Sequence, residues 1–500
     1  MIKRGLLSLA IATLAALPAR AADNAVTIYS SARPGGIPAA LYRPEPGEVL
    51  PAAGVPGYAV VRQRRELTLD APTSDVRFTD VAARIDPTTV QFRSLTDPAG
   101  THVLEQAYEF DLVSSDRLLQ RFIDQRIEAE QIIGDGVRAI GGQLLSAAGD
   151  LVLGAEDGRV EVLREYSRLR FPALPGGLIT RPTLVWQVAT GRPGPHAVEV
   201  SYQTDGLTWW ADYNLLLDDS DAACHLALTA WVSIVNRSGA GYDPVRVKLI
   251  AGDVQRFQPP PQPAMIQRMA MAEAGAADTG FSEKAFFEYH LYTLGRETRL
   301  PDNSTRQIEL FPAADRVGCE QRYTYEGAKN IGNYGRPMTE REFGATGNKK
   351  VDVFVEFENR ENNGLGMPLP AGRVRVNKRD PADDSVEFIG EDVIDHTPKN
   401  ERVKLRLGSA FDVVGERRQT EFDYDKRAQV LTETIEVKLR NHKREPIEVE
   451  VRERLYRGAG WTITKASHQY EKRDATSIVL PVTVAPDAEA VVSYTVRYAW

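Results

Sequence analysis

Apolar and polar residues alternate with a period of two along most of this 500-residue chain, and a sustained helical period is almost absent. Leu431, Ile435, Val437 and Leu439 share one face, and after a turn at 441–446 the face resumes with Ile447, Val449, Val451 and Leu455. This predicts an antiparallel hairpin with one buried side. Ile478, Leu480, Val482 and Val484 repeat the pattern, as do Val492, Tyr494, Val496, Tyr498 and Trp500. Residues 423–500 are therefore expected to form a small sandwich of immunoglobulin-like size.

Upstream, strands are predicted at 26–29, 59–69, 76–78 and 89–92, in an N-terminal β-domain over 22–120 that includes a Pro/Gly-rich excursion at 33–57. The best helical candidate is 117–129. A strand at 137–145 and a tight hairpin, 151–153 with 160–162, suggest a small barrel of SH3 or OB size within 121–175. In the central block, 176–422, Trp209, Ala211, Tyr213, Leu215 and Leu217 alternate as a buried face. Strands follow at 226–235, 245–251, 286–294, 307–311, 351–357 and 403–407. Pro259, Pro260 and Pro261 cannot join a sheet ladder, so 255–280 reads as a flexible excursion. The predicted class is all-β and multi-domain: antiparallel sandwiches, a small SH3/OB-like barrel and an immunoglobulin-like C-terminal sandwich.

Composition adds a location. Lys3 and Arg4 precede an uncharged apolar run from Leu6 to Leu17, and Ala19-Arg20-Ala21 places small residues at −3 and −1. A run of about a dozen residues is too short to span a bilayer, so 1–21 is expected to be a cleaved secretory signal. No Cys lies near the cut to carry a lipid, and no later apolar run is long enough to cross a membrane. The expected home is the periplasm, or beyond it, of a Gram-negative cell. In such an oxidising compartment Cys224 and Cys319 either form one disulfide or stay as two buried thiols. Neither belongs to a C-x-x-C pair, which speaks against a thiol oxidoreductase. A net charge of −8, with both signs interspersed, speaks against nucleic-acid binding.

Candidate chemistry is sparse. G-x-S-x-G, S-x-x-K, H-E-x-x-H and Walker signatures do not occur. Gly134-Asp135-Gly136 opens like a dinucleotide loop but has no third Gly at the required spacing, and no cofactor is predicted. Glu391, Asp392, Asp395 and His396 form the richest polar cluster. An imidazole among carboxylates suits acid–base work or a divalent metal. The simpler reading is a turn marked by Thr397-Pro398. Asp380, Asp383 and Asp384 offer oxygens for Ca²⁺ without EF-hand spacing and read better as a solvated loop. Trp209 and Tyr213 point inward, whereas Trp210 shares the other face with Asp212. An exposed Trp beside a carboxylate is a sugar-stacking platform, and a covered one is core. Met265, Met269 and Met271 offer soft thioethers for Cu(I), an adaptable docking segment, or filler. The sequons at Asn236 and Asn303 are read as chance. The aromatic end at Trp500 is like that of outer-membrane barrels, but Lys438, Arg440, Glu448, Glu450 and Arg452 occupy the outer faces, against membrane insertion.

Six stretches, taken in order, carry a likeness: 206–214 (GLTWWADYN), 236–239 (NRSG), 249–253 (LIAGD), 362–370 (NNGLGMPLP), 395–401 (DHTPKNE) and 408–416 (GSAFDVVGE). In them the central block resembles a bacterial family of exported proteins built on a domain of unknown function that also occurs in mucoidy inhibitor A-like proteins. The N-terminal coiled coil of the mucoidy-inhibitor branch is missing here. The resemblance implies an exported envelope protein and brings no catalytic residues with it. Exposed loops and edges on a rigid β-frame suit a non-catalytic binding or scaffolding module for envelope polysaccharide or protein. The alternative is a periplasmic hydrolase of envelope polysaccharide or peptide, whose carboxylates no spacing marks out.

Overall fold

A computed structural model describes residues 23–29, 39–42, 55–133, 136–218, 223–252, 281–286, 289–329, 331, 336–345, 347–380 and 382–500. The expected signal at 1–21, Gly134, Asp135 and the three excursion methionines lie outside them. Strand takes 65% of the chain and helix 3%, so the all-β class read from the alternation holds.

The first sandwich packs two sheets. One has eight strands; its main path runs Phe281–Phe286, Tyr289–Leu294, Tyr242–Ala251, Asp23–Tyr29, Tyr58–Leu69, Gly194–Asp205, Ile85–Ser94. Thr73–Thr79, Thr183–Thr190 and Thr101–Glu109 form a three-stranded sheet, the second strand in the middle. Asp23–Tyr29 lies parallel to Tyr242–Ala251, and Tyr58–Leu69 pairs with Gly194–Asp205. Strands of the 22–120 segment are thus interleaved with strands from the block expected to begin at 176. Alternation identifies which face is buried; it carries no information about the partner strand.

The small unit is a five-stranded sheet in the order Arg168–Arg170, Arg126–Ile133, Gly136–Ser146, Leu151–Gly154, Val160–Leu163. The predicted tight hairpin is present. Among the described residues the two outer strands do not pair with each other, so the expected barrel is not closed. The helix occupies Ser115–Arg121 only, with the Ser114 hydroxyl accepting from Arg117 N–H at its start. Asp124 sits at a positive φ of 65°, which a helix cannot carry, and from Arg126 the chain is strand. The helical expectation over 117–129 therefore overran.

A 13-stranded assembly makes up the rest. Its two longest strands, Ser304–Tyr325 with 22 residues and Arg402–Asp425 with 24, run unbroken from the central region into the C-terminal sandwich. Ser304–Tyr325 pairs first with His225–Asn236 and further along with Lys350–Glu358. Arg402–Asp425 pairs with Lys350–Glu358 and then with Val430–Asn441. The boundary expected at 422 falls inside a strand.

In the C-terminal sandwich the expected hairpin is absent. Val430–Asn441 bonds to Arg402–Asp425 and Ala488–Ala499, whereas Ile447–Arg454 bonds to Ser304–Tyr325 and Ser477–Val484. The two segments belong to opposite layers, and their apolar faces meet across a core of Leu431, Ile435, Val437, Val449, Val451 and Leu480. Asn441 makes the crossing: its buried Nδ2 donates to the carbonyls of Glu445, Val484 and Ala485. Asn236 and Asn359 perform the same task elsewhere, each with a buried carboxamide donating to carbonyls of the turns beyond it. Asn236 is 1% exposed, so no glycan can be attached there.

Lys350–Glu358 carries three ion-paired carboxylates, Asp352, Glu356 and Glu358, and two of them are held below their ordinary values. Burial pushes the Glu356 carboxyl up, but Lys404, Arg402 and Arg322 outweigh it and hold it below its ordinary 4.5. Asp352 is likewise raised by burial and more strongly lowered by Arg406 and Lys329. A carboxyl depressed in the folded state stabilises that state fully above its unfolded pKa, and the contribution fades as pH falls through the folded value. Urea midpoints are therefore expected to drop below about pH 5, and Glu356→Gln to flatten that acid limb. A midpoint independent of pH from 6 down to about 3 contradicts this.

Candidate functional site

The site grows from the outer face of the sheet formed by Val386–Ile394, Gly372–Arg379, Leu207–Asp218, His225–Asn236 and Ser304–Tyr325, in that order. The inner face is core. Trp209 Nε1 donates to the Ile250 carbonyl at 3.2 Å, and Tyr213 Oη to that of Pro370 at 2.7 Å. Both side chains point inward, as the alternation predicts.

Register lays out the outer face in rows. Asp212 is the cross-strand partner of Trp231 on one side and of Arg373 on the other. Arg373 faces Val393, and Trp231 faces Glu309. In the next row Glu391, Arg375, Asn214 and Thr229 follow one another. A third row holds Trp210, Ser233 and Gln307.

Trp210 lies on this outer face but is not an exposed platform. It is 8% exposed, covered by Leu41 and Val55 and backed by Val235. Its Nε1 donates to Asp212 Oδ2 at 2.6 Å. Trp231 is the exposed indole, at 39%. The signal for it was available: in Leu226–Val235 the residues Thr229, Trp231 and Ser233 occupy the polar phase of the alternation. A lone Trp inside an apolar run is easily taken for core.

Asp212 is the hub of the face. Its Oδ2 accepts from Trp210 and, at 3.2 Å, from Ser233 Oγ. Its Oδ1 faces Arg373 Nη2 at 3.3 Å and Arg375 Nη1 at 3.6 Å. Glu391 closes the group, with Oε2 at 3.3 Å from Arg375 Nε and 3.8 Å from Arg373 Nε. Two guanidinium groups lie between two carboxylates, each held from a different strand. Removing Asp212 leaves Arg373, which is 20% exposed, without its nearest counter-ion. Asp212→Ala is therefore expected to destabilise by about 2–4 kcal/mol, checked by urea unfolding.

The polar cluster expected at 391–396 is dispersed. Glu391 joins the outer face, while Asp392, one residue on, points the other way, its Oδ2 accepting from Arg406 N–H at 2.6 Å. Asp395 offers its carbonyl to Thr397 Oγ1, and His396 Nδ1 accepts from Ala371 N–H at 3.0 Å. These are turn contacts, in keeping with the Thr397-Pro398 signal. Asp380 and Asp383 accept from backbone N–H groups two residues ahead, and Asp384 pairs with Arg379, so this loop is solvated and self-satisfied. Among the described residues no group of three or more His, Cys, Asp or Glu is arranged to hold a metal ion. Cys224 and Cys319 form a disulfide.

A concavity of about 240 Å³ lies between Tyr323 and Ile447, lined by Gln321, Arg322, Glu445 and Glu450. It is smaller than the roughly 300 Å³ at which small-molecule pockets begin. The outer face around Trp231 is the better candidate. Compared with known proteins, the chain matches no family model and no curated protein.

Proposed function

We propose that this chain is a non-catalytic module of the bacterial envelope that binds or scaffolds a surface polymer or protein. The observation that carries the reading is Trp231: a large apolar side chain, 39% exposed, held beside ion-paired polar groups on a sheet whose strands fix every neighbour. Exposed aromatic residues with polar rims are a recurring mark of recognition surfaces. The frame behind it supports the same role, because the 22-residue strand Ser304–Tyr325 continues from this sheet into the next sandwich. The Cys224–Cys319 disulfide accords with an exported chain in an oxidising compartment. The likeness of the central block to exported mucoidy inhibitor A-like proteins belongs to the same proposal.

The test is capture from envelope extract by the immobilised full chain. The wild type is expected to retain a polymer or protein that Trp231→Ala releases, with no chemical change in what is retained. Steady turnover of envelope polysaccharide or peptide by the purified chain sinks the reading in favour of a hydrolase.

A further inference from the structure

We infer that Trp231 and the ion-paired deck beside it receive an uncharged pyranose unit of a polysaccharide chain; this rests on the binding reading above and names its ligand. The first argument is shape. The indole stands on an open sheet face, with the row Val393, Arg373, Asp212, Trp231, Glu309 crossing five strands. At the usual inter-strand spacing that row is roughly 19 Å long. An extended ligand can lie along it, whereas a terminal unit in a deep pocket is not what this surface offers.

The second argument is the pairing of surfaces. One face of a pyranose ring carries C–H bonds and its rim carries hydroxyls. Indole supplies the matching apolar plane. Around it stand Glu309 across the strands and Thr229 along its own, while Asp212 and Ser233, both buried, brace the deck from below. Hydroxyls both donate and accept, so carboxylate and guanidinium edges can serve the same sugar.

Charge decides the class of sugar. Arg373 and Arg375 are matched one for one by Asp212 and Glu391, at 3.3 to 3.8 Å. A uronate or phosphate would have to displace a carboxylate from its guanidinium, exchanging one pair for another. A neutral hydroxyl adds a hydrogen bond and breaks no pair. The deck is also fixed before the ligand arrives. Asp212 is 6% exposed and held by Trp210 and Ser233, so little side-chain freedom is lost on binding.

The experiment titrates the full chain with cello- and malto-hexaose, with a hexamer of galacturonate, and with the neutral polysaccharide fraction of envelope extract. Heat and the shift in Trp fluorescence are both recorded. The neutral sugars or the neutral fraction are expected to bind, Trp231→Ala to weaken binding at least about tenfold, and Trp231→Phe to keep most of it. Unchanged melting of both variants is the control for folding. Preference for the uronate overturns the charge argument, and binding indifferent to Trp231→Ala overturns the placement. If no sugar binds while an envelope protein is still captured through Trp231, the glycan assignment fails and the binding reading stands. If nothing is captured at all, both fail.

Discussion

Glu433→Ala is expected to destabilise the C-terminal sandwich by about 3–5 kcal/mol, among the largest effects any single change in this chain should have. Glu433 and Arg457 are 1% and 0% exposed, with Arg457 Nε donating to Glu433 Oε2 at 2.8 Å. Removing one member of such a pair leaves a buried charge without a partner. Gln419 Nε2 also donates to Glu433. Arg457 has a second duty: its Nη1 and Nη2 donate to the carbonyls of Met338, Glu340, Arg341 and Phe343. Arg457→Met strips those four carbonyls as well as orphaning Glu433, so it should cost more than Glu433→Ala. The parallel pair, Arg417 with Glu453, is built alike, with Tyr494 Oη donating to Glu453 and Arg417 Nη1 to the Gly344 carbonyl. Both arginines thus pin the 338–344 loop to the sandwich. Urea unfolding followed through Trp461 and Trp500 reads the loss; a midpoint shift equivalent to less than about 1 kcal/mol for either Glu433→Ala or Arg457→Met would falsify this account.

Removing the disulfide, by reduction or by Cys224→Ala with Cys319→Ala, is expected to cost about 4–5 kcal/mol on chain entropy, because the bond spans 95 residues. The bond staples the end of a strand pairing. Cys224 sits just before the first residue of His225–Asn236, and Cys319 lies where Ser304–Tyr325 passes from one partner strand to the next. The ladder there is irregular, with register shifts between Leu226 and Leu228 and again before Ala230. The backbone bond from Cys319 N–H to the Cys224 carbonyl, 3.0 Å, remains after reduction and recovers only a fraction of the loss. Comparing urea midpoints with and without reductant tests it. An unchanged midpoint would mean that the unfolded chain is already held compact around these two residues.

Much of this architecture is readable from the chain, and the failures share a cause. Each apolar residue the alternation assigned to a buried face in Leu431–Leu439 and Ile447–Leu455 is buried, although Glu433 and Glu453 in the same phase were passed over, and the segments sit in opposite layers and do not pair. Buried faces are local information; partners are not. Trp210 shows the same limit. Its phase is correct, opposite to Trp209, but Leu41 and Val55, 169 and 155 residues upstream, cover it. Trp231 keeps the identical phase and has no such cover. The cluster at 391–396 looked dense because neighbours in sequence were counted together, whereas alternation sends Glu391 and Asp392 to opposite sides. The helix overran because Asp124, with its positive φ, breaks it where composition gives no warning.

The interleaving of the first sandwich bears on the order in which the chain is made. Asp23–Tyr29 finds its parallel partner only in Tyr242–Ala251, and Asn24 Nδ2 reaches the carbonyl of Pro244, 220 positions later. Tyr58–Leu69 waits for Gly194–Asp205. During roughly the first half of synthesis Asp23–Tyr29 and Tyr58–Leu69 therefore have only each other to pair with, and loop closure of this length makes the pairing with their later partners slow. For the same interval the outer edges of this two-stranded ladder stay open, a template for pairing with another chain.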